Sequence, residues 1–316
     1  MNRRPLTNIA HSVHDRLLAM ARQSGRPYAE FLQYYAMERF LYRLSKTRHA
    51  DRLLLKGALL LRIWNVPPAR PTADIDLMGR MKFNGESLAE VVREAAAVTV
   101  EEDGLRFHTA TIETSAITGE AEYHGWRLTF LATLGNSRIH MQLDVGLGDV
   151  VHPAPIVIEY PSMLGFPTPT LKACPPETVV AEKLQAMVEL EKANSRMKDF
   201  YDLWILSRHL EFKGDVLTRS IKATFERRAT SLSSDAPMAL TEEFSKDPVK
   251  ITQWKAFIRR LPAATKGLSL EEVITALGIF LIPPLKAMNQ DTGFEMVWLP
   301  GGPWRKKTAH KDTEGE

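Results

Sequence analysis

Asp74 and Asp76 stand two residues apart in ADIDLMG, alternating with apolar Ile75 and Leu77. Alternation of period two is the pattern of a strand, and it sends both carboxylates to one face. Like charges held side by side are costly unless cations or hydrogen bonds compensate them, and a divalent metal does so most simply. With oxygen ligands only, and no Cys or His nearby, the expected ion is Mg²⁺ or Mn²⁺, which bind carboxylates together with a nucleotide's phosphates. A D-x-D that merely faces solvent on an edge strand is the ordinary alternative. Two neighbours argue against it. Upstream, Lys56-Gly57 opens a helix whose backbone N–H groups and positive end can hold a phosphate. Downstream, Asp144 ends a strand on which Ile139, Met141, Leu143 and Val145 share one face and His140, Gln142 and Asp144 the other, giving a third carboxylate.

These groups need a scaffold. Helical spacing over Val13 to Met20 and Tyr28 to Leu44 predicts two opening helices, broken at Gly25 to Pro27. RLLLKGALLLRIW, from Arg52 to Trp64, reads as a short buried segment followed by a helix that starts near the glycine and stops before Pro67-Pro68. After the D-x-D strand come a helix at Gly85 to Val98 and strands at Leu105 to Ile117, Gly125 to Leu134 and Arg138 to Val145, which make a mixed or antiparallel sheet. A proline-rich connector, HPAPIVIEYPSMLGFPTPTLKACPP, is expected to cross the surface with one short strand at Pro155 to Tyr160. Helices then follow at Glu177 to Leu190, Met197 to His209, 214–230, 237–245, 251–260 and 269–288, with a loose tail after Gly302. The expected fold is α/β (α+β), a small mixed sheet flanked by helices plus a C-terminal helical domain, divided as 1–165 and 166–316.

Two further groups lie on the later helices. Lys183 precedes the buried Leu184 by one position, so its stem can run along the core while its ammonium reaches a cleft. In RMKDFYDLW, Asp199, Lys198 and Asp202 fall on one polar helix face, where a simple ion pair is the alternative to a role in chemistry.

Composition narrows the class. Among 316 residues, 44% are hydrophobic and 25% charged, which suits a globular chain with a substantial core. The single cysteine, Cys174, excludes a disulfide framework and a thiolate zinc site. No apolar run of membrane-spanning length occurs, the N-terminus lacks a signal-peptide core, and a cytoplasmic location is expected. The net charge of +3 hides an uneven distribution: residues 1–52 carry ten Lys and Arg against four Asp and Glu. A basic surface there would attract RNA, although a solvated basic helix face is the plainer reading. The nine histidines read as scattered surface residues. The interleaved aromatics and cations of KDFYDLWILSRHL and ITQWKAFIRRL read as core rather than base-stacking platforms. No P-loop, G-x-S-x-G elbow or G-x-G-x-x-G run is present.

Over about residues 50–210, LKGALLLRIW, RPTADIDLMG, QLDVGLGD, AEKLQAM and RMKDFYDLW follow one another in that order. In this the chain resembles the nucleotidyltransferase-fold toxins of the AbiEii group, within the DNA polymerase beta-like superfamily. The resemblance implies that Asp74, Asp76 and Asp144 bind metal, with Asp144 able to accept a proton. It implies that Lys56, Gly57, Ala58, Arg70, Thr72 and Lys183 serve the nucleotide's phosphates, and that Lys198, Asp199 and Asp202 belong to the active site. Gly57-Ala58 stands where the superfamily has Gly-Ser or Gly-Gly, keeping the backbone donors without the hydroxyl. The implied function is a toxin that transfers a nucleoside monophosphate from a nucleoside triphosphate (NTP) to the 3′ end of tRNA, restrained by a cognate antitoxin in a toxin–antitoxin or abortive-infection system. A nuclease or kinase would use the same carboxylates, and a non-catalytic RNA- or partner-binding module would keep the fold without the reaction.

Overall fold

The computed structural model describes residues 8–64, 66, 70–118, 124–231, 236–261 and 265–306. They form two compact units, the first from the described residues of Met1–Asn65, Pro71–Asp149 and Pro155–Cys174, the second from those of Val66–Arg70, Val150–Ala154 and Pro175–Glu316.

The first unit opens with helices α1 (Ile9–Ser24) and α2 (Tyr28–Ser45), separated where Gly25 takes a φ of +68° that ends α1. Its sheet comprises β1 (Leu53–Lys56), β2 (Asp74–Gly79), β3 (Leu105–Thr118), β4 (His124–Leu134), β5 (Ser137–Leu147), β6 (Ile156–Glu159) and β7 (Thr170–Ala173). A short helix α3 (Leu59–Ile63) follows β1, and α4 (Gly85–Ala97) follows β2. The strand order is β3-β4-β5-β2-β1-β7-β6. β2 runs parallel to β5 and β1 to β7, and the other pairs are antiparallel, so the expected mixed α/β architecture is present.

One face of this sheet is apolar. Ile75, Leu77, Met141, Leu143 and Val145 are buried, as are Leu128 and Phe130 of β4, whose register partners are Leu143 and Met141. Phe40 of α2 packs against Phe130 with ring centroids 5.3 Å apart, and Gly85 of α4 meets the Trp126 ring, so both helices cover that face. The opposite face carries Asp74, Asp76 and Asp144 together with Arg127 and Gln142.

A buried ionic cluster fastens α2 in place. Asp103 accepts hydrogen bonds from Arg39 Nε at 3.1 Å and from Arg43 Nη1 and Nη2 at 2.6 and 3.0 Å, while Arg39 Nη1 donates to the Pro167 carbonyl at 2.7 Å. Glu38 accepts from the Met163 N–H at 2.8 Å, and burial raises its pKa. Two arginines of the basic opening segment are thus spent inside the unit, and its surface is less basic than the sequence count suggests. His49, 6% exposed and 3.0 Å from Glu94, also departs from the expectation of surface histidines.

The connector contributes more than the one strand expected. Thr170–Ala173 is a second strand, inserted between β6 and β1 with Ala173 opposite Leu55. The Cys174 N–H then donates to the Leu55 carbonyl at 2.9 Å, and its side chain is fully buried. The anticipated helix stop at Pro67-Pro68 lies outside the described residues.

The second unit contains α5 (Pro176–Leu190), α6 (Met197–His209), α7 (Gly214–Arg227), α8 (Glu242–Lys246), α9 (Pro248–Ile258) and α10 (Leu270–Asn289). The helix expected over 237–245 is broken at Thr241, whose extended backbone and side chain cap α8. A three-stranded sheet of β8 (Phe212–Lys213), β9 (Met296–Trp298) and β10 (Trp304–Lys306) joins the helices. The residues after Gly302 therefore begin as a strand rather than a loose tail, because Trp304 stacks on Phe280 and its indole N–H donates to the Phe280 carbonyl at 2.9 Å. The remainder of that tail lies outside the described residues. Phe200, Tyr201 and Trp254 are buried in the core, as expected, while Trp204 is only half-buried.

Candidate active site

The strand register lines up four charged residues. Arg127 of β4 sits opposite Asp144 of β5, Asp144 opposite Asp76 of β2, and Asp76 opposite Lys56 of β1. Two carboxylates are thereby bracketed by two cations in one row across four strands. Asp74, two residues before Asp76, completes an acidic triad. One oxygen from each of Asp74, Asp76 and Asp144 lies within 4.8 Å of the others, and all three residues are half-buried. A set of carboxylate oxygens at this spacing fits a hard divalent cation and offers nothing to a soft one.

Asp74 and Asp144 are held by neighbouring side chains. Thr72 Oγ1 donates to Asp74 Oδ1, and the Thr72 N–H donates to the Tyr34 hydroxyl at 3.1 Å. Arg127 grips Asp144 with two parallel bonds, Nε to Oδ1 at 2.9 Å and Nη2 to Oδ2 at 2.7 Å. Hydrogen bonding to Asp144, with Asp74 and Asp76 adding attraction, raises the guanidinium's pKa. Gln142 Nε2 reaches both Asp144 oxygens, at 3.3 and 3.2 Å. Lys56 Nζ lies 3.4 Å from Asp149 Oδ2.

Gly57 takes a φ of +73°, and a Cβ built there would come within 2.0 Å of Asp76 Oδ2. The glycine is required by this approach as much as by its backbone angle. It does not open the helix: α3 begins at Leu59 after Ala58 and is only five residues long. The donors available to a phosphate are therefore those of a turn rather than the end of a long helix dipole. Ala58 is buried at 4% exposure.

A second cluster lies within the second unit. Lys183 Nζ of α5 is 2.6 Å from Asp199 Oδ1 and 2.9 Å from Asp202 Oδ2, both on α6. Arg70 holds Asp202 bidentately at 2.8 and 3.0 Å, and Arg196 Nε lies 2.7 Å from Asp199 Oδ2. Burial opposes the Lys183 charge, but Asp199 and Asp202 outweigh it and raise its pKa. Burial likewise opposes the Asp199 carboxylate, but Lys183 and Arg196 hold its pKa below the ordinary value. The Asp199 and Asp202 side chains are 1% and 2% exposed, so the expected polar face of α6 is in fact buried. Lys198 is exposed, and Asp202 takes its cations from Arg70 and Lys183 instead.

A family profile described as "Nucleotidyl transferase AbiEii toxin, Type IV TA system" matches residues 39–276. The chain belongs to this family. The match takes in both clusters, and the AbiEii resemblance read from five short segments over about residues 50–210 lies inside it. Two solved structures are also similar. JHP933 from Helicobacter pylori aligns at 18% identity with a TM-score of 0.49, covering 83% of this chain and 94% of that one. A second H. pylori structure, described as a candidate nucleotidyltransferase, aligns at 18% identity and a TM-score of 0.48, covering 84% and 98%. A search of curated proteins found no match. No helix among the described residues of this AbiEii chain is long and apolar enough to cross a membrane.

Sequence reasoning missed Arg127, Gln142 as a partner of Asp144, and Arg196. Arg127 has no motif around it; only the pairing of β4 with β5 places it opposite Asp144. Arg196 was open to detection, since it stands three residues before Asp199 at helical spacing.

Proposed function

We propose that this AbiEii chain transfers a nucleoside monophosphate from an NTP to an acceptor hydroxyl, with the 3′ end of a tRNA as acceptor. The observation that carries this reading is the convergence of Asp74, Asp76 and Asp144 on one sheet face in a nucleotidyl transferase family member. In the reaction the acceptor oxygen bonds to the α-phosphorus, the bond to the β-phosphate's bridging oxygen breaks, and pyrophosphate leaves.

Asp74, Asp76 and Asp144 would hold Mg²⁺ or Mn²⁺. When bound, such an ion supplies Lewis-acid stabilisation of the phosphoryl oxygens. Asp144 is the proposed acceptor of the hydroxyl proton. Lys56 and the turn at Gly57-Ala58 are assigned to the triphosphate, with Thr72 orienting Asp74. Of the second cluster, Lys183 is assigned to phosphate, with Asp199 and Asp202 keeping its ammonium charged. Arg70 and Lys198 add positive charge. Catalysis by such a set is positioning and electrostatic stabilisation rather than covalent chemistry. The associated biology is a cytoplasmic toxin neutralised by a cognate antitoxin.

The test is incubation of the protein with Mg²⁺, total bacterial RNA and each α-³²P-labelled NTP in turn, resolved on a denaturing gel. Label on a tRNA-sized band that vanishes in Asp74→Asn supports the reading and identifies the base. Label on protein replaces the acceptor, and absence of any transfer favours a binding module.

A further inference from the structure

Both oxygens of Asp144 already carry side-chain donors. A carboxylate offers about four lone-pair positions. Arg127 takes one on each oxygen through its two short bonds, and Gln142 Nε2 approaches both oxygens as well. For Asp144 to ligate a divalent cation, a donor must leave or shift. Of the two donors the guanidinium is suited to leave: its side chain is 45% exposed while Gln142 is half-buried, and a cation beside it would meet like charge.

We infer that Arg127 is the resident counter-ion of Asp144, exchanged for a divalent cation when the site loads, and that the released guanidinium then takes up part of the triphosphate's charge. This rests on the metal assignment under Proposed function. Before loading, the Arg127–Asp144 pair offsets the charge of one of the three closely grouped carboxylates. After loading, Asp144 has the cation in place of Arg127, and the freed fork has the geometry to grip a phosphate through two parallel bonds. The arginine thus links metal occupancy to nucleotide affinity.

The probe is Mn²⁺ alone, titrated into the whole protein and followed by the electron paramagnetic resonance signal of the free ion. Arg127→Gln is expected to bind Mn²⁺ about fivefold more tightly, the size of one partly exposed ion pair written as a ratio. Arg127→Lys, which keeps charge but loses the fork, falls between. In an Asp144→Asn background, where the pair no longer exists, Arg127→Gln should change Mn²⁺ affinity far less. With Mn²⁺ saturating, inorganic tripolyphosphate should bind Arg127→Gln about tenfold more weakly by calorimetry.

Weaker Mn²⁺ binding in Arg127→Gln would mean that the guanidinium orients Asp144 as a ligand, and would overturn the exchange. Unchanged Mn²⁺ affinity overturns it too, and unchanged tripolyphosphate binding removes the second half. If the wild type takes up no Mn²⁺ at the triad, the metal assignment falls along with the exchange. If the wild type binds and Arg127→Gln does not respond, the exchange alone fails.

Discussion

Gly57 and Asp76 occupy nearly the same space: a single methyl group on the glycine would come within 2.0 Å of the Asp76 carboxylate. Strand pairing forces this closeness, since Lys56 lies directly opposite Asp76 and the chain turns immediately afterwards. Gly57→Ala should therefore do two kinds of damage. The positive φ strains the backbone by roughly 1–3 kcal/mol, and the methyl pushes Asp76 out of place. A displacement near 1 Å at a reacting centre can cost about 100-fold in rate. A melting curve and the transfer assay together check this; wild-type turnover in Gly57→Ala would show that Asp76 has room to move.

Asp76→Asn separates the site's charge from its shape. Without added metal the variant should be as stable as the wild type, or gain up to about 1 kcal/mol, because one of several clustered negative charges is gone and the group is half-exposed. Transfer should fall by more than about 100-fold, beyond the cost of losing a group that only orients a metal ligand. Adding Mn²⁺ should raise the melting temperature of the wild type but not of Asp76→Asn. Equal shifts in the two proteins would remove Asp76 from the metal site.

The second cluster carries a pH signature. The Asp199 pKa is lowered from its ordinary 3.8, so the stability it contributes is present above that value and lost as the pH falls through its folded-state pKa. The Lys183 pKa is raised from 10.5, so its contribution is complete below that value and lost only as the pH rises beyond it. The pair should thus support the fold throughout the neutral range. Lys183→Met removes the main attraction on Asp199, and its acid-unfolding midpoint, followed by circular dichroism, should move to higher pH. An unmoved midpoint would mean that Arg196 alone sets the Asp199 pKa.

Asp103 is the acid on which two buried arginines depend. Asp103→Asn leaves Arg39 and Arg43 without their shared counter-charge at 0% and 6% exposure. The expected loss is about 3–5 kcal/mol, measured by urea unfolding. A loss below about 1 kcal/mol would place the pairing among interactions of surface-like weight.

Much of the first unit was legible because its strands obey simple alternation. Ile75 and Leu77 against Asp74 and Asp76, and Met141, Leu143 and Val145 against Gln142 and Asp144, assign the faces before any pairing is known. Pairing itself is not written in alternation. That Arg127 faces Asp144 depends on which residue of β4 meets which of β5, a register set by the tight turn between Leu134 and Ser137. β7, Thr-Leu-Lys-Ala, lacks the β-branched run that marks β6, Ile-Val-Ile-Glu, and so carries no strand signal of its own. Gly57 reads as a helix start, but its reason lies nineteen residues away, in the bulk of Asp76. Helical spacing assigns Asp199 and Asp202 to a polar face but does not reveal that partners from other segments, Lys183 and Arg70, bury it.

The lone thiol of this chain has a use that follows from where it lies. Cys174 is sealed from solvent at the end of β7, its N–H bonded to the strand that carries Lys56. A thiol reagent can reach it only when the β1–β7 neighbourhood opens, so its labelling rate in otherwise native protein clocks that opening without any engineered reporter. The same cysteine makes the chain a natural gauge of whatever a nucleotide, an ion or an antitoxin does to the β1–β7 side of its sheet.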